Sequence, residues 1–260
     1  MENDFSVRDI RRIVIIGSGN VAYHLSKAFV SVGLPLVQLF GRNRDMLHRL
    51  SDEVAVPYST DKLASADLYI LCVSDSSISA VSELIKDKNA IVAHTSGSTA
   101  MEILCREGHR AVLYPLQTFS KMRHLDYSKI PFFFEAEDKA DEILLENLLR
   151  KISQNVMACD SERRKYIHLT AVFSCNFVNH LFARAKEIAD EHHLPFEFFL
   201  PLIDETIAKI HSLDPKNAQT GPAVRGDEKV LELQKQLITN AEQAEIYDLL
   251  SQSIKKNSLS

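Results

Sequence analysis

The sequence predicts an α/β protein, a doubly wound parallel sheet followed by an all-helical C-terminal domain, and three observations carry this. Short β-branched runs alternate with helix-period segments from Arg12 onward, a glycine-rich turn joins the first run to the first helix, and beyond Cys159 the strand signal stops. At 260 residues with 45% hydrophobic content, the chain exceeds what one core usually organises. Two domains are expected, 1–157 and 158–260.

Strands are expected at Ile13–Ile16, Leu36–Phe40, 68–73, 90–94, 111–114 and 131–135. Nearly all are continuous apolar runs, as strands covered on both faces are. Helices are expected to start near Asn20, Asn43, Ser76, Thr99 and Asp138, several at a side chain able to accept a bond from the first turn. Helical periodicity then fills 160–191, 195–213, 227–239 and 241–255, and 256–260 reads as a short tail.

The formal net charge of -5 and the lack of any long Lys/Arg run remove the electrostatic footprint of nucleic-acid or anionic-membrane binding. Small-molecule partners are expected instead. No uncharged apolar stretch approaches the ~20 residues of a membrane span, and MENDFSVRD at the N-terminus lacks an apolar signal segment, so a cytoplasmic protein is expected. Cys72, Cys105, Cys159 and Cys175 form no C-x-x-C pair and read as buried, reduced thiols. The ten histidines include neither H-E-x-x-H nor a Cys/His cluster of ligand spacing, so no metal is expected.

The first strand runs into Gly17-Ser18-Gly19-Asn20-Val21-Ala22 and then an amphipathic helix. This is the G-x-G-x-x-A form of the dinucleotide fingerprint, placed at the first strand-to-helix junction of a βαβ pattern, and it makes the domain Rossmann-type. Gly17 permits the tight turn, Gly19 lets the backbone approach a pyrophosphate, and Ala22 lets helix and strand pack closely. The helix N-terminus offers its free N–H groups to the anion. After the second strand, where an acid would bind the ribose 2′-OH of NAD, the chain reads Gly41-Arg42-Asn43-Arg44. Guanidinium groups bond phosphate bidentately and stay charged, which predicts NADP as the cofactor.

GSGNVA, the GRNR turn, LYILCVSDSSI and HTSGS together resemble the NADP domains of pyrroline-5-carboxylate reductases. The helical half, with YIHLTAVFSCNFVNHL and TGPAVRGD, resembles a family of NADP oxidoreductases in which a Rossmann domain is fused to a helical domain of unassigned function. The resemblance covers nearly the whole chain and implies a reductase-like activity without naming a substrate. It also implies a homodimer through the helical domain. The paired threonines and repeated glycines of the pyrroline-5-carboxylate reductase substrate loop are absent, which argues against proline synthesis.

In a doubly wound sheet the ligand lies across the carboxyl ends of the strands. Val73-Ser74-Asp75-Ser76 would pass the nicotinamide ribose, or Asp75 and Ser76 would cap the next helix. Thr95 and Ser96 would let the chain approach the nicotinamide ring, and His94 is either a proton donor or a structural residue. Tyr114 and Gln117 lie on the loop that, by the resemblance, lines the substrate side. On the long helix His168, Asn176 and Asn179 fall within an arc of about 80° at ~100° per residue, among apolar neighbours. Such a row either joins a polar network or faces a wet cleft, and His168 has the titration range of a proton donor. Arg225, in the Gly/Pro-rich loop before Asp227, suits a carboxylate or phosphate of the substrate. The leading expectation is hydride transfer between NADP(H) and a small carbonyl or imine compound, with His168, Asn176, Arg225 and His94 as catalytic candidates. The alternative is a non-catalytic NADP-binding sensor.

Overall fold

A computed structural model describes residues 9–105 and 109–258. Residues 1–8, most of the stretch read for an export signal, and 259–260 lie outside the described residues. The strands are β1 (Ile13–Ile16), β2 (Leu36–Phe40), β3 (Tyr58–Ser59), β4 (Leu68–Leu71), β5 (Ile91–His94), β6 (Arg110–Pro115), β7 (Phe132–Ala136) and β8 (Val156–Ala158). They form one sheet in the order β3-β2-β1-β4-β5-β6-β7-β8. The order reverses between β1 and β4, which makes the ends of these two strands the crevice of the doubly wound topology.

β1 to β6 pair in parallel, as expected, but β7 runs antiparallel to β6. The segment between them contains only a single 3-10 turn, Tyr127–Lys129. Without a crossover helix the chain returns in the opposite direction. β3 and β8, with two and three residues, are too short to show a period and were not predicted.

One face of the sheet carries Ile13, Ile15, Leu39, Ile70 and Leu113 against three helices. These are α1 (Asn20–Ser31), α2 (Arg44–Val54) and, after the five-residue α3 (Ile78–Ser82) on the opposite face, α4 (Lys139–Arg150). α1 buries Ala22, Leu25, Ala28 and Phe29, and α2 buries Leu47, Leu50 and Val54, each a single stripe at helical spacing. The opposite face carries Val14, Ile16, Leu71 and Val92 against Ile78 of α3, Ile85 and Leu104. The helix expected from Thr99 is reduced to a 3-10 turn, Met101–Ile103. A small third cluster, Met101, Val112 and Tyr114, is covered by Phe133 and by Ile167 of α5 (Ser161–Ala171).

The chain divides into two compact units between Asn176 and Phe177, so α5 and the π-helical turn Val172–Asn176 belong with the sheet. The strands end at Ala158, where the helical half was expected to begin. The second unit is helical: α6 (Phe177–Glu191), α7 (Leu200–Lys209), α8 (Pro215–Ala218), α9 (Pro222–Arg225), α10 (Glu228–Gln236) and α11 (Ala241–Ser258), with α11 packed on α9 and α10. α11 thus continues into the stretch read as a tail. Among the described residues no helix is long and apolar enough to cross a membrane. Cys72 and Cys159 are buried as expected, but Cys105 and Cys175 are exposed, the latter on the π turn, whose residues lie outside the core.

Candidate functional site

The glycine turn is built by steric necessity on one side and left open on the other. Gly17 has φ 134°, and a Cβ there would stand 2.2 Å from the Cys72 carbonyl oxygen. Its N–H donates to the Phe40 carbonyl at 2.8 Å, so the turn joins β1 to the strands on either side. A Cβ on Gly19, by contrast, would meet nothing within 4 Å. Gly19 caps α1 without a side chain, and the first turn holds no acid, so the helix start presents bare N–H groups. Val21 and Ala22 face the core, and the Asn20 amide donates to the Phe119 carbonyl at 2.8 Å. Ser18 to Ala22 are therefore suited to hold an anion through their backbone.

Arg42 and Arg44 project from the start of α2, exposed, and neither makes an ion pair or side-chain hydrogen bond among the described residues. Asn43 is occupied differently: its side chain caps α2 by accepting from the Met46 N–H at 3.0 Å. The two guanidiniums remain for a phosphate, with the asparagine fixing the helix that carries one of them.

The turns after β4 and β5 are tied to each other. Ser98 donates to the Asp75 carboxylate at 2.8 Å, while Ser74 sits with the hydroxyls of Ser76 and Ser77 at 3.3 and 2.8 Å. Burial works against the Asp75 charge, but the bond from Ser98 and the neighbouring hydroxyls of Ser96 and Thr99 outweigh it and hold the carboxyl below its ordinary range. Asp75 is thus a cross-link rather than the helix cap weighed above. The Ser96 hydroxyl organises its own turn, accepting from the N–H groups of Ser98 and Thr99 at 3.2 and 3.0 Å and donating to the Thr99 hydroxyl at 2.9 Å. Val73 and Thr95, half-buried beside the β1 crevice, are left as the more available lining, although Thr95 donates to the Leu71 carbonyl at 3.3 Å.

His94 ends β5 with its imidazole inside the fold, which favours the structural reading of this residue over the proton donor. It is fully buried, its Nδ1 accepts from the Ser96 N–H at 3.2 Å, and burial together with the Arg164 charge pushes its pKa down to about 4. A buried imidazole kept neutral supports the turn that contains Thr95.

The arrangement with chemical potential lies one strand further. Tyr114, at the carboxyl end of β6, meets His168 of α5 with its hydroxyl 3.0 Å from Nδ1. Gly97 makes room for both: a Cβ there would come within 2.7 Å of the Tyr114 ring and of His168 Nδ1. Burial raises the Tyr114 pKa, opposed by Arg164, so the phenol keeps its proton; its hydroxyl donates to Nδ1 of a neutral imidazole and accepts from Nδ1–H of a protonated one. Nε2 has no partner among the described residues and is the nitrogen left to meet a ligand. Gln117 is exposed, and its side chain accepts from the Thr118 N–H at 2.7 Å within its own loop.

One turn before His168, and missed by sequence reasoning, lies Arg164. Its side chain is 0% exposed and donates to Glu135 of β7 at 2.6 Å, to the Thr99 carbonyl at 2.7 Å and to the Ser161 hydroxyl at 3.0 Å. Ser161 in turn donates to Glu135 at 2.7 Å and accepts from the Met101 N–H at 3.1 Å. These bonds clamp α5 to β7 and to the segment after β5, and so set where His168 stands. In the sequence Arg164 lies between Arg163 and Lys165 and reads as one charge of a solvated helix.

Asn176 does not belong to a buried polar row. It is exposed, as are Asn179 and His180, and the π turn shifts the phase on which the 80° arc was reckoned. Arg225 is exposed on the second unit at the end of α9, between Gly221 at φ 114° and Gly226 at φ 67°, and Asp227 caps α10 as expected through the Val230 N–H.

Residues 130–254, just under half of the chain, match a family model described as a domain of unknown function, DUF2520. A crystal structure described as a "putative NADP oxidoreductase" from Bacteroides fragilis is 40% identical, with a TM-score of 0.89 over 96% of this chain and 100% of that one. A pyrroline-5-carboxylate reductase from Coxiella burnetii shares 16% identity and a TM-score of 0.60 over 97% and 94% of the two chains. A reductive aminase from Aspergillus terreus, in complex with NADPH and ethyl-5-oxohexanoate, shares 14% identity and a TM-score of 0.68 over 95% and 94%. The last two show the fold alone. Among curated proteins none matches the chain.

Proposed function

The chain belongs to the family of the Bacteroides fragilis NADP oxidoreductase, and from that premise we propose that it transfers hydride between NADP(H) and a small carbonyl or imine compound. The observation that carries the cofactor half is the open cradle at Gly19 combined with two uncommitted guanidiniums after β2. Backbone N–H groups of residues 18–22 would hold the pyrophosphate, and Arg42 with Arg44 would hold the 2′-phosphate. Val73, Ser74 and Thr95 would line the nicotinamide half. When bound, the dinucleotide supplies or accepts the hydride at nicotinamide C4.

The protein's own share of the chemistry is proton transfer. In the reducing direction His168 acts as the imidazolium, with Nδ1–H donated to the Tyr114 oxygen; it gives its Nε2 proton to the substrate oxygen or nitrogen and is left neutral, while Tyr114 keeps the ring oriented. Asp75 and Ser98 hold the turns after β4 and β5 at a fixed spacing, and Arg225 is the anion-binding candidate of the second unit. An imine or carbonyl compound is the substrate class that a hydride from nicotinamide and a proton from His168 together reduce.

Arg42→Ala combined with Arg44→Ala is expected to weaken NADPH binding by about 10²–10⁴-fold and to leave NADH binding unchanged, since each of the two charge-assisted hydrogen bonds lost is worth about 1.5–3 kcal/mol. Titration calorimetry with both dinucleotides reads this out. A wild-type protein that prefers NADH, or equal loss of both ligands in the variant, would sink the assignment. The exposed stripe Tyr166, Leu169 and Phe173 (70%, 49% and 63% exposed) and, on the second unit, Phe198 and Leu202 fit a second copy of this chain. Light scattering is expected to give twice the chain mass, and a monomer at micromolar concentration would refute the dimer.

A further inference from the structure

We propose that Lys121 is a cofactor-binding residue that contacts the dinucleotide pyrophosphate, the moiety NADPH and NADH share. It rests on the dinucleotide reading above and adds to it a cation drawn from outside the glycine turn and α2.

The segment Phe119-Ser120-Lys121, in the loop between β6 and β7, is fastened residue by residue to the glycine turn and α1. Asn20 donates to the Phe119 carbonyl at 2.8 Å. His24 on the next turn of α1, only 2% exposed, lies 2.9 Å from the Ser120 carbonyl through Nε2 and 3.1 Å from the Tyr127 hydroxyl through Nδ1. Its ring also stacks on Phe119 with centroids 4.9 Å apart. Burial lowers the His24 pKa, and the neutral tautomer with its proton on Nε2 satisfies both bonds.

This fastening delivers Lys121 to the rim of the turn. Its ammonium donates to the Ser18 carbonyl at 3.0 Å and stands 5.7 Å from the centroid of the Tyr23 ring. Ser18 is the residue before Gly19, where the space is open. An ammonium has three N–H donors, so two remain after the Ser18 bond. No carboxylate lies within ion-pair distance of Lys121 among the described residues; Glu53 nearby is engaged by the Tyr23 hydroxyl at 2.6 Å and by Lys27 at 3.2 Å. A cation held by a neutral carbonyl at the edge of an open anion cradle has its charge available to a ligand. Because the anchor is Ser18 rather than β2, the phosphate it meets is the bridging one, not the 2′-phosphate served by Arg42 and Arg44.

The test compares equilibrium affinities of the full chain for NADPH, NADH, ADP-ribose and adenosine 2′-monophosphate. Lys121→Met is expected to weaken the first three by about tenfold, the scale of one charge-assisted hydrogen bond, and to leave the last unchanged. Lys121→Arg is expected to stay near wild type. Lys121→Gln, which can still donate to Ser18, separates charge from anchoring and is expected to lose as much as Lys121→Met. Unchanged affinities in both neutral variants, or a loss confined to NADPH, would overturn the assignment while leaving the cofactor reading intact. A wild-type protein that binds neither dinucleotide would overturn both.

Discussion

Replacing Arg164 with methionine is expected to cost about 3–5 kcal/mol of stability, measured by chemical denaturation against the wild type. The guanidinium is fully buried and serves Glu135, Ser161 and the Thr99 carbonyl at once. Methionine fills much of the volume but leaves the Glu135 carboxylate without its counter-charge, and an uncompensated buried charge is the costly outcome. Adding Glu135→Leu should recover much of the loss, because a well-packed apolar pair often equals a buried ion pair. A loss below about 1 kcal/mol in the single variant would mean that water reaches Glu135 and that the clamp on α5 is weaker than its distances imply.

The second large effect is kinetic. His168→Phe is expected to lower kcat for a substrate found by screening small oxo and imino compounds by about 10²–10⁴-fold, the usual contribution of a general acid. NADPH affinity should be unchanged, because His168 bonds Tyr114 and not the glycine turn. Tyr114→Phe should lose less, since the donor remains and only its orientation relaxes. A kcat within a few-fold of wild type in His168→Phe would remove His168 from the reaction, and the protonating group would then have to be sought elsewhere.

The first βαβ unit was legible because its information is local. The apolar run Ile13–Ile16, the glycine turn and the amphipathic helix after it follow one another in sequence, and the structure forms the strand, turn and helix in that order. The direction of β7 was not legible, since residue alternation is the same in either direction and only the missing crossover helix decides it. Polar residues were harder still. His94 at a strand end has the same local signature whether it faces ligand or core, and only the fold shows that it is buried. Tyr114 and His168 were each singled out, but their contact spans 54 positions and has no local signal. Arg164 showed nothing at all, because burial of one arginine in a run of basic residues depends on the strand it packs against.

The two glycines of the phosphate turn carry different kinds of information. A side chain at residue 17 collides with the backbone of the neighbouring strand, so that glycine is demanded by the polypeptide itself whether or not anything is ever bound. At residue 19 a Cβ would meet nothing, so the neighbouring chain sets no steric demand on that position. A motif search that weighs the two equally mixes a rule of chain geometry with a rule of recognition. Of the pair, the first is required by the fold whatever is bound, and any role in recognition falls to the second.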